Sequence, residues 1–249
     1  MALDLDALLK SISDDAPSGE DLEYDGDFLM LEELATPSEE RAIGDILVPA
    51  EDPDYPQVVD QAVKVLEKSH DLRAAVIYAN AVLRTEGIPG FEQALLYIRR
   101  ALEEFWDTVH PQLDPDDDND PTERVNAVRN LIDPATVMRG VRTAPLTNSR
   151  MMGRFSLRDI KLAMGELHAG EHEDAPPTTA DINGAFQDTD PAHFTALRES
   201  LVNCRAHAKA IFAKFDAEVG ALGPDLDPLD RLLYELRQAV DEFAGAEAD

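Results

Sequence analysis

Between residues 57 and 109 the apolar side chains return every three or four positions, and this spacing constrains the fold more than any other feature of the chain. Val58, Ala62, Val63, Val65 and Leu66 mark one helical face, and Leu72, Ala75, Val76, Ala79, Val82 and Leu83 mark the next. Asp71 is placed to cap the second helix and Gly87 to stop it. Phe91, Leu95, Ile98, Leu102, Phe105 and Val109 continue the step. They predict a long amphipathic helix from about Phe91 to His110, ended by Pro111, with Trp106 beside its apolar stripe. Short connections between such helices predict antiparallel packing.

Asp-Pro pairs repeat this helical message. An aspartate caps orphan amides, and a proline has no amide to lose in the first turn. Asp120-Pro121, Asp133-Pro134, Asp190-Pro191 and Asp227-Pro228 therefore predict helices over Val125–Leu131, Ala135–Val141, Phe194–Phe215 and Leu229–Phe243. Runs that alternate with a period of two are scarce. The reading is all-α: an antiparallel multi-helix bundle followed by a C-terminal helical hairpin. The polar segment Gly170-Glu171-His172-Glu173-Asp174-Ala175-Pro176-Pro177 reads as a linker over residues 169–178, between a first domain (1–168) and the hairpin (179–249). The hairpin's one-sided apolar faces need cover, from the first domain or from a second copy.

Charge narrows the function. The chain carries 51 acidic and 22 basic side chains, a net charge of −29. That excludes non-specific binding to nucleic acid and to anionic lipid, which needs clustered Lys and Arg. It favours partners with basic faces. Residues 1–60 hold 18 of the acids and only 2 basic residues. Within them Leu3, Leu5, Leu8, Leu9 and Ile12 suggest a short helix, and Phe28, Leu29, Leu31, Glu32 and Leu34 another, with turn chemistry at Ala16–Asp21 between. This acidic arm reads either as a solvated, partly mobile segment or as a docking surface for a basic partner, with Glu20, Asp21, Glu23, Tyr24 and Asp25 as candidate contacts. No apolar run approaches the length of about 18 residues needed to span a bilayer. The start lacks a basic region followed by an apolar block, so no signal peptide is read there. The single cysteine, Cys204, excludes a disulfide framework. A cytoplasmic protein is expected.

Catalytic and metal chemistry find little footing. Counting Asp116 as the first position of a calcium loop puts Pro121 where glycine is needed and Ala127 where a bidentate glutamate is needed. His168, His172, Cys204 and His207 have zinc-ligand types, but Gly170 interrupts the first pair, so no metal is expected. There is no Gly-x-Ser-x-Gly elbow, no glycine-rich phosphate loop and no His-Glu-x-x-His. Neither an enzyme nor a cofactor is expected. One basic stretch stands out: Arg139, Arg142, Arg150, Arg154, Arg158 and Lys161, opposed only by Asp159. It reads either as an internal partner of the acidic arm or as an exposed docking patch, with Arg150, Arg154 and Arg158 as candidate contacts.

Several strings, in order, carry one more clue. They are Pro17-Ser18-Gly19-Glu20-Asp21-Leu22-Glu23-Tyr24-Asp25, Ser69-His70-Asp71-Leu72-Arg73 and Glu86-Gly87-Ile88-Pro89-Gly90. Phe105-Trp106-Asp107-Thr108-Val109-His110-Pro111-Gln112-Leu113-Asp114-Pro115 follows, then Asp116–Thr122 with Arg124 and Asn126-Ala127, then Ala144-Pro145-Leu146-Thr147. Together they resemble the ImpA N-terminal family of bacterial type VI secretion systems, over roughly residues 16–162. The resemblance implies a non-enzymatic cytoplasmic organiser that helps assemble the baseplate, the inner tube and the contractile sheath. Its partners would be other secretion proteins, and the full-length form would be a homo-oligomer. Ser18 stands where the family often has cysteine. Members commonly continue into a C-terminal ring-forming domain, whereas this sequence stops at Asp249, so ring formation is not carried over. Trp106, His110 and Pro111 read either as closing the core at the end of the long helix or as recognising a secretion partner. The alternatives to this function are a general acidic helical adaptor of another complex and a hydrolase without a recognised motif.

Overall fold

The computed structural model describes residues 4–38, 41–43, 46–48, 51–170 and 175–245. Helices α1 (Leu5–Leu8) and α2 (Gly26–Ala35) form the acidic arm. An aspartate opens each: Asp4 accepts from the Ala7 amide and Asp25 from that of Asp27. Two short strands, β1 (Arg41–Ile43) and β2 (Ile46–Val48), pair antiparallel with Arg41 opposite Val48. This small hairpin is the one departure from helix among the regular elements of the described residues.

Helices α3 (Tyr55–Leu66), α4 (Leu72–Thr85) and α5 (Gly87–Glu104) follow the apolar spacing, with Asp54 and Asp71 as side-chain caps of the first two. Gly87 both stops α4 and starts α5, because its φ of 71° lets the chain reverse within one residue. The long helix ends at Glu104, six residues short of the expected His110. The apolar spacing runs on because the non-helical segment after it is buried too, at Trp106, Val109 and His110.

Beyond it lie α6 (Thr122–Arg129), α7 (Val137–Thr143), α8 (Leu157–Ala163), α9 (Thr179–Asp188), α10 (Pro191–Val219) and α11 (Asp227–Ala244). Asp190 caps α10 through the Ala192 amide, as its Asp-Pro pair predicts. The other pairs mark their helices only to within a turn. Asp120 binds the Thr122 amide, but α6 begins after Pro121. Asp133 gathers the Ala135 and Thr136 amides in a turn before α7. Asp227 lies inside α11, and Asp225 makes the capping bond to its amide. Proline fits several positions of a first turn, so the dipeptide fixes a start loosely. Helices α8 and α9 are additions to what the sequence pattern predicts. Each opens with a reciprocal capping box, Ser156 with Asp159 and Thr178 with Asp181. Of the expected linker, residues 171–174 lie outside the described residues, as does Leu3 of the first arm helix.

The helices pack in the order α2, α3, α4, α5, α10, α11, with α6 and α7 against α4 and with α7 and α9 against α11. The hairpin thus finds its cover on α5 of the same chain. One continuous core runs from Leu8 to Val240. Leu8, Leu9, Leu22, Phe28 and Leu31 are buried in it, so the arm is fastened to the helical body rather than solvated along its length.

Candidate functional site

Four of the strings that carry the family resemblance, 17–25, 69–73, 105–115 and the one with Arg124, converge on one buried polar clasp. The arm turns at Ser18-Gly19, and Gly19 takes a φ of 76°. A Cβ there would lie 2.2 Å from the Lys68 carbonyl oxygen, so only glycine lets the two backbones approach this closely. The His70 amide donates to the Ser18 carbonyl at 2.8 Å. The Ser69 hydroxyl donates to the carbonyls of Ser18 and Glu20, at 3.1 and 2.8 Å. The Ser18 hydroxyl pairs with that of Thr108 at 2.8 Å, and His110 Nε2 donates to the Gly19 carbonyl at 3.0 Å. Behind this layer the His110 amide donates to the His70 carbonyl, and the Leu72 amide to the His110 carbonyl, at 2.9 and 2.8 Å. Three segments far apart in sequence are thereby stitched backbone to backbone.

Two arginines complete the clasp. Arg73 bridges the buried Asp71 at 2.7 Å and Asp21 of the arm at 2.8 Å, and lies over the Phe28 ring. Arg124 is fully buried, and its guanidinium donates to the carbonyls of Trp106, Val109 and Pro111 at 2.7, 2.7 and 2.8 Å. It also stacks on Trp106, whose ring meets Phe215 of α10 edge-on at 5.3 Å. These carbonyls belong to the irregular buried segment after α5, where Arg124 supplies the donors that a helical ladder would otherwise provide. Both arginines stand within the family strings. Their signal was a long cationic side chain next to apolar helix positions, Arg124 before Val125 and Val128.

The candidate residues fall in three places. Trp106 and His110 are buried in the clasp. Asp21 is held by Arg73, and Asp25 caps α2 with Lys68 at 3.7 Å. Glu20 lends its carbonyl to Ser69 and keeps its side chain exposed. Glu23 and Tyr24 face solvent, Tyr24 with 85% of its surface exposed. Arg150 and Arg154 are exposed on a separate turn between α7 and α8, and Arg158 is half-buried on α8. Arg139 pairs with Asp52, Lys161 with Glu235 of α11, while Lys68, Arg73 and Arg100 engage Asp27, Asp21 and Asp6.

Beside the clasp lies a shallow groove of about 460 Å³, lined by Glu23, Arg73, Pro111, by Glu123, Asn126 and Arg129 of α6, and by Asn130 just beyond it. Glu23 and Arg73 place it directly over the point where the arm meets α4. Its polar amides and charges suit contacts with another chain's backbone and side chains. Among the described residues no group of three His, Cys, Asp or Glu side chains is arranged to hold a metal ion, and His172 lies outside them. Cys204 is buried, and burial pushes its thiol well above the usual range, away from the nucleophilic thiolate.

Protonation should loosen the arm. Burial depresses His70, whose Nε2 donates to the Lys10 carbonyl while Nδ1 faces the Tyr97 hydroxyl. Burial works against ionisation of Asp21, but the hydrogen bonds from Arg73 and the Glu23 amide, with the Arg73 charge, hold its carboxyl below the usual value. Both groups bind protons more readily unfolded than folded. The contribution of His70 is present above its unfolded value near 6.5 and is lost as pH falls through its lower folded value. That of Asp21 is present above 3.8 and is lost as pH falls below it. The melting temperature is expected to drop between pH 7 and 5, and again below pH 4. His70→Gln, which keeps a donor but cannot titrate, should shrink the first step, leaving the share of His207, which burial also depresses, as followed by circular dichroism.

Packed helices whose buried polar atoms bind chain segments to one another define an all-α helical body, with a polar groove beside its clasp. The model of the ImpA N-terminal region of the type VI secretion system matches residues 9–133, and the chain belongs to that family. It is 39% identical over 242 residues to the type VI secretion system component TssA1 of Pseudomonas aeruginosa, covering 97% of this chain and 69% of that protein. Its fold is similar to the N-terminal domain of the TssA component from Burkholderia cenocepacia, with a TM-score of 0.79, 25% identity, and coverage of 98% of this chain and 94% of the other. Among the described residues no helix is long and apolar enough to cross a membrane.

Proposed function

We propose that this chain is a non-enzymatic assembly scaffold of the type VI secretion apparatus, organising baseplate, tube and sheath proteins in the cytoplasm through protein–protein contacts, and that its longer form is a homo-oligomer. Family membership supports the setting. The observation that carries the mode of action is Tyr24, 85% exposed and next in the chain to Glu23, which lines the groove beside the clasp. An exposed aromatic next in the chain to a groove-lining residue has the properties of an interface anchor. Glu20 and Glu23 add an acidic rim on the same side, whereas Trp106, His110, Asp21 and Asp25 act by holding that rim in place. Arg150 and Arg154 offer a second contact surface of opposite sign.

The test uses the 249-residue chain against purified baseplate, sheath and tube proteins by calorimetry. Tyr24→Ser with Glu23→Gln is expected to weaken binding to at least one of them at least about tenfold, the scale of losing an interface anchor. Undiminished binding of this variant to every component would remove the groove side from the account.

A further inference from the structure

The turn between α7 and α8 is built as a prong. Its base is closed by the Leu146 amide on the Phe155 carbonyl and the Phe155 amide on the Thr147 hydroxyl, at 2.7 and 2.8 Å. Its tip is braced from α9. The Ser149 hydroxyl donates to Asp188 at 2.6 Å and accepts from the Met152 amide at 2.8 Å, and the Asn148 amide donates to the Thr189 hydroxyl at 3.0 Å. On this fixed frame Met151 stands 84% exposed, between Arg150 and Arg154, which are exposed and make no ion pair among the described residues. A backbone turn held rigid before binding loses less entropy on docking, so this turn presents an apolar tip with two flanking cations on a preorganised frame.

The same chain carries the matching socket. A groove of about 350 Å³ lies between the end of α2 and residues 51–54. Met30, Leu34 and Pro53 give it an apolar lining, Met30 half exposed, and Glu33, Glu51 and Asp52 stand along it. Ser38 and Glu51 exchange two hydrogen bonds, of 3.0 and 2.8 Å, which fix the groove's width. Asp52 already takes a guanidinium there, from Arg139 of the same chain at 3.3 Å. Glu33 and Glu51 make no ion pair among the described residues and remain available.

We propose that the Arg150–Arg154 turn of one copy docks into this groove on a second copy, Met151 seated on the lining of Met30, Leu34 and Pro53, and the two arginines on Glu33 and Glu51. The proposal rests on the scaffold reading only in giving the oligomer an interface. Charge sets its signature. Two chains of −29 repel at long range, yet the contacting surfaces are opposite in sign. At about 0.01 M salt the screening length is about 30 Å and repulsion is felt in full; at about 0.15 M it is about 8 Å, so repulsion is cut while the touching pairs persist; at about 1 M it is about 3 Å and the pairs weaken as well. Self-association should therefore be strongest at intermediate salt.

Sedimentation velocity of the full chain, at concentrations up to about 1 mM, where interfaces below standard size associate, reads this directly. The expected result is association that is greatest near 0.15 M salt and weaker at both extremes, and that each of two surface variants, Glu33→Lys with Glu51→Lys and Arg150→Glu with Arg154→Glu, weakens at least tenfold. An equimolar mixture of the two variants should associate again, because one retains the prong and the other the groove. A monomer at every salt concentration, or association that either variant leaves intact, would overturn the proposal. So would a chain that stays monomeric but binds a secretion protein that the groove variant no longer binds, since the occupant would then be that protein. Failure of self-docking leaves the Tyr24 binding result untouched, so the two readings fail separately.

Discussion

Replacing Arg124 by alanine is expected to lower the stability of the chain by about 3–5 kcal/mol, the range found when a buried charged partner is removed from its hydrogen-bonding groups. Three backbone carbonyls, of Trp106, Val109 and Pro111, would lose the guanidinium donor that reaches them inside the core. The Trp106 ring would lose the guanidinium stacked on it at 4.8 Å. Burial pulls Arg124 down to about 10, with Asp107 and Glu218 offsetting a part, so it is still charged at neutral pH. Its planar fork is what reaches three acceptors at once. Arg124→Lys should therefore recover only a fraction of the loss, because one ammonium cannot span them. Urea unfolding measures both, and a loss under about 1 kcal/mol for the alanine variant would mean that water or another donor replaces the fork.

Gly19→Ala attacks the same clasp from the arm. The left-handed φ of 76° alone strains an L residue, and the new Cβ would meet backbone, the Lys68 carbonyl oxygen at 2.2 Å and the Ser69 Cα at 3.1 Å. No side-chain rotation relieves that. The arm must lift, and with it go the bonds from His70 to Ser18 and from His110 to Gly19. The expected cost is roughly 2–4 kcal/mol, from strain together with lost hydrogen bonds. The expected structural sign is new protease cleavage between Lys10 and Gly19, while the helical content is kept. An unchanged unfolding midpoint would show that the close approach at Gly19 carries no weight.

The helical body was legible because its helices bury one stripe each. The stripes of α3, α4, α5, α10 and α11 and the caps at Asp71 and Asp190 are local signals that survive in a single sequence. The end of α5 was not, since a buried irregular segment keeps its apolar residues just as a helix does. Helices α8 and α9 bury only three residues apiece, too few for a period to show among Arg158, Asp159, Lys161 and the polar residues of the second. In the arm the apolar residues from Phe28 to Leu34 suggested the helix that α2 is, but the density of carboxylates hid that Leu22, Phe28 and Leu31 anchor it in the core. The candidate site was visible as strings but not as a place. Ser18 and Thr108, or Asp21 and Arg73, meet only after the chain has folded, and no local spacing announces a contact across 90 or 52 residues. Charge balance left Arg139–Lys161 open as the arm's partner; Arg139 does pair with Asp52, while Lys68, Arg73 and Arg100, adjacent in space, hold Asp27, Asp21 and Asp6.

The clasp fastens the acidic arm to the helices and so presents the groove at Glu23. Amide hydrogen exchange of the His70 and His110 backbone, resolved by NMR, tests it most directly, because the His70 amide is bonded to the arm itself at Ser18. If the clasp is part of the cooperative core, both amides exchange only as fast as the interior amides of α4, with protection set by global unfolding. If the His70 amide exchanges orders of magnitude faster than that of Ala79 while α4 stays protected, the arm opens on its own, and the clasp does not hold the site.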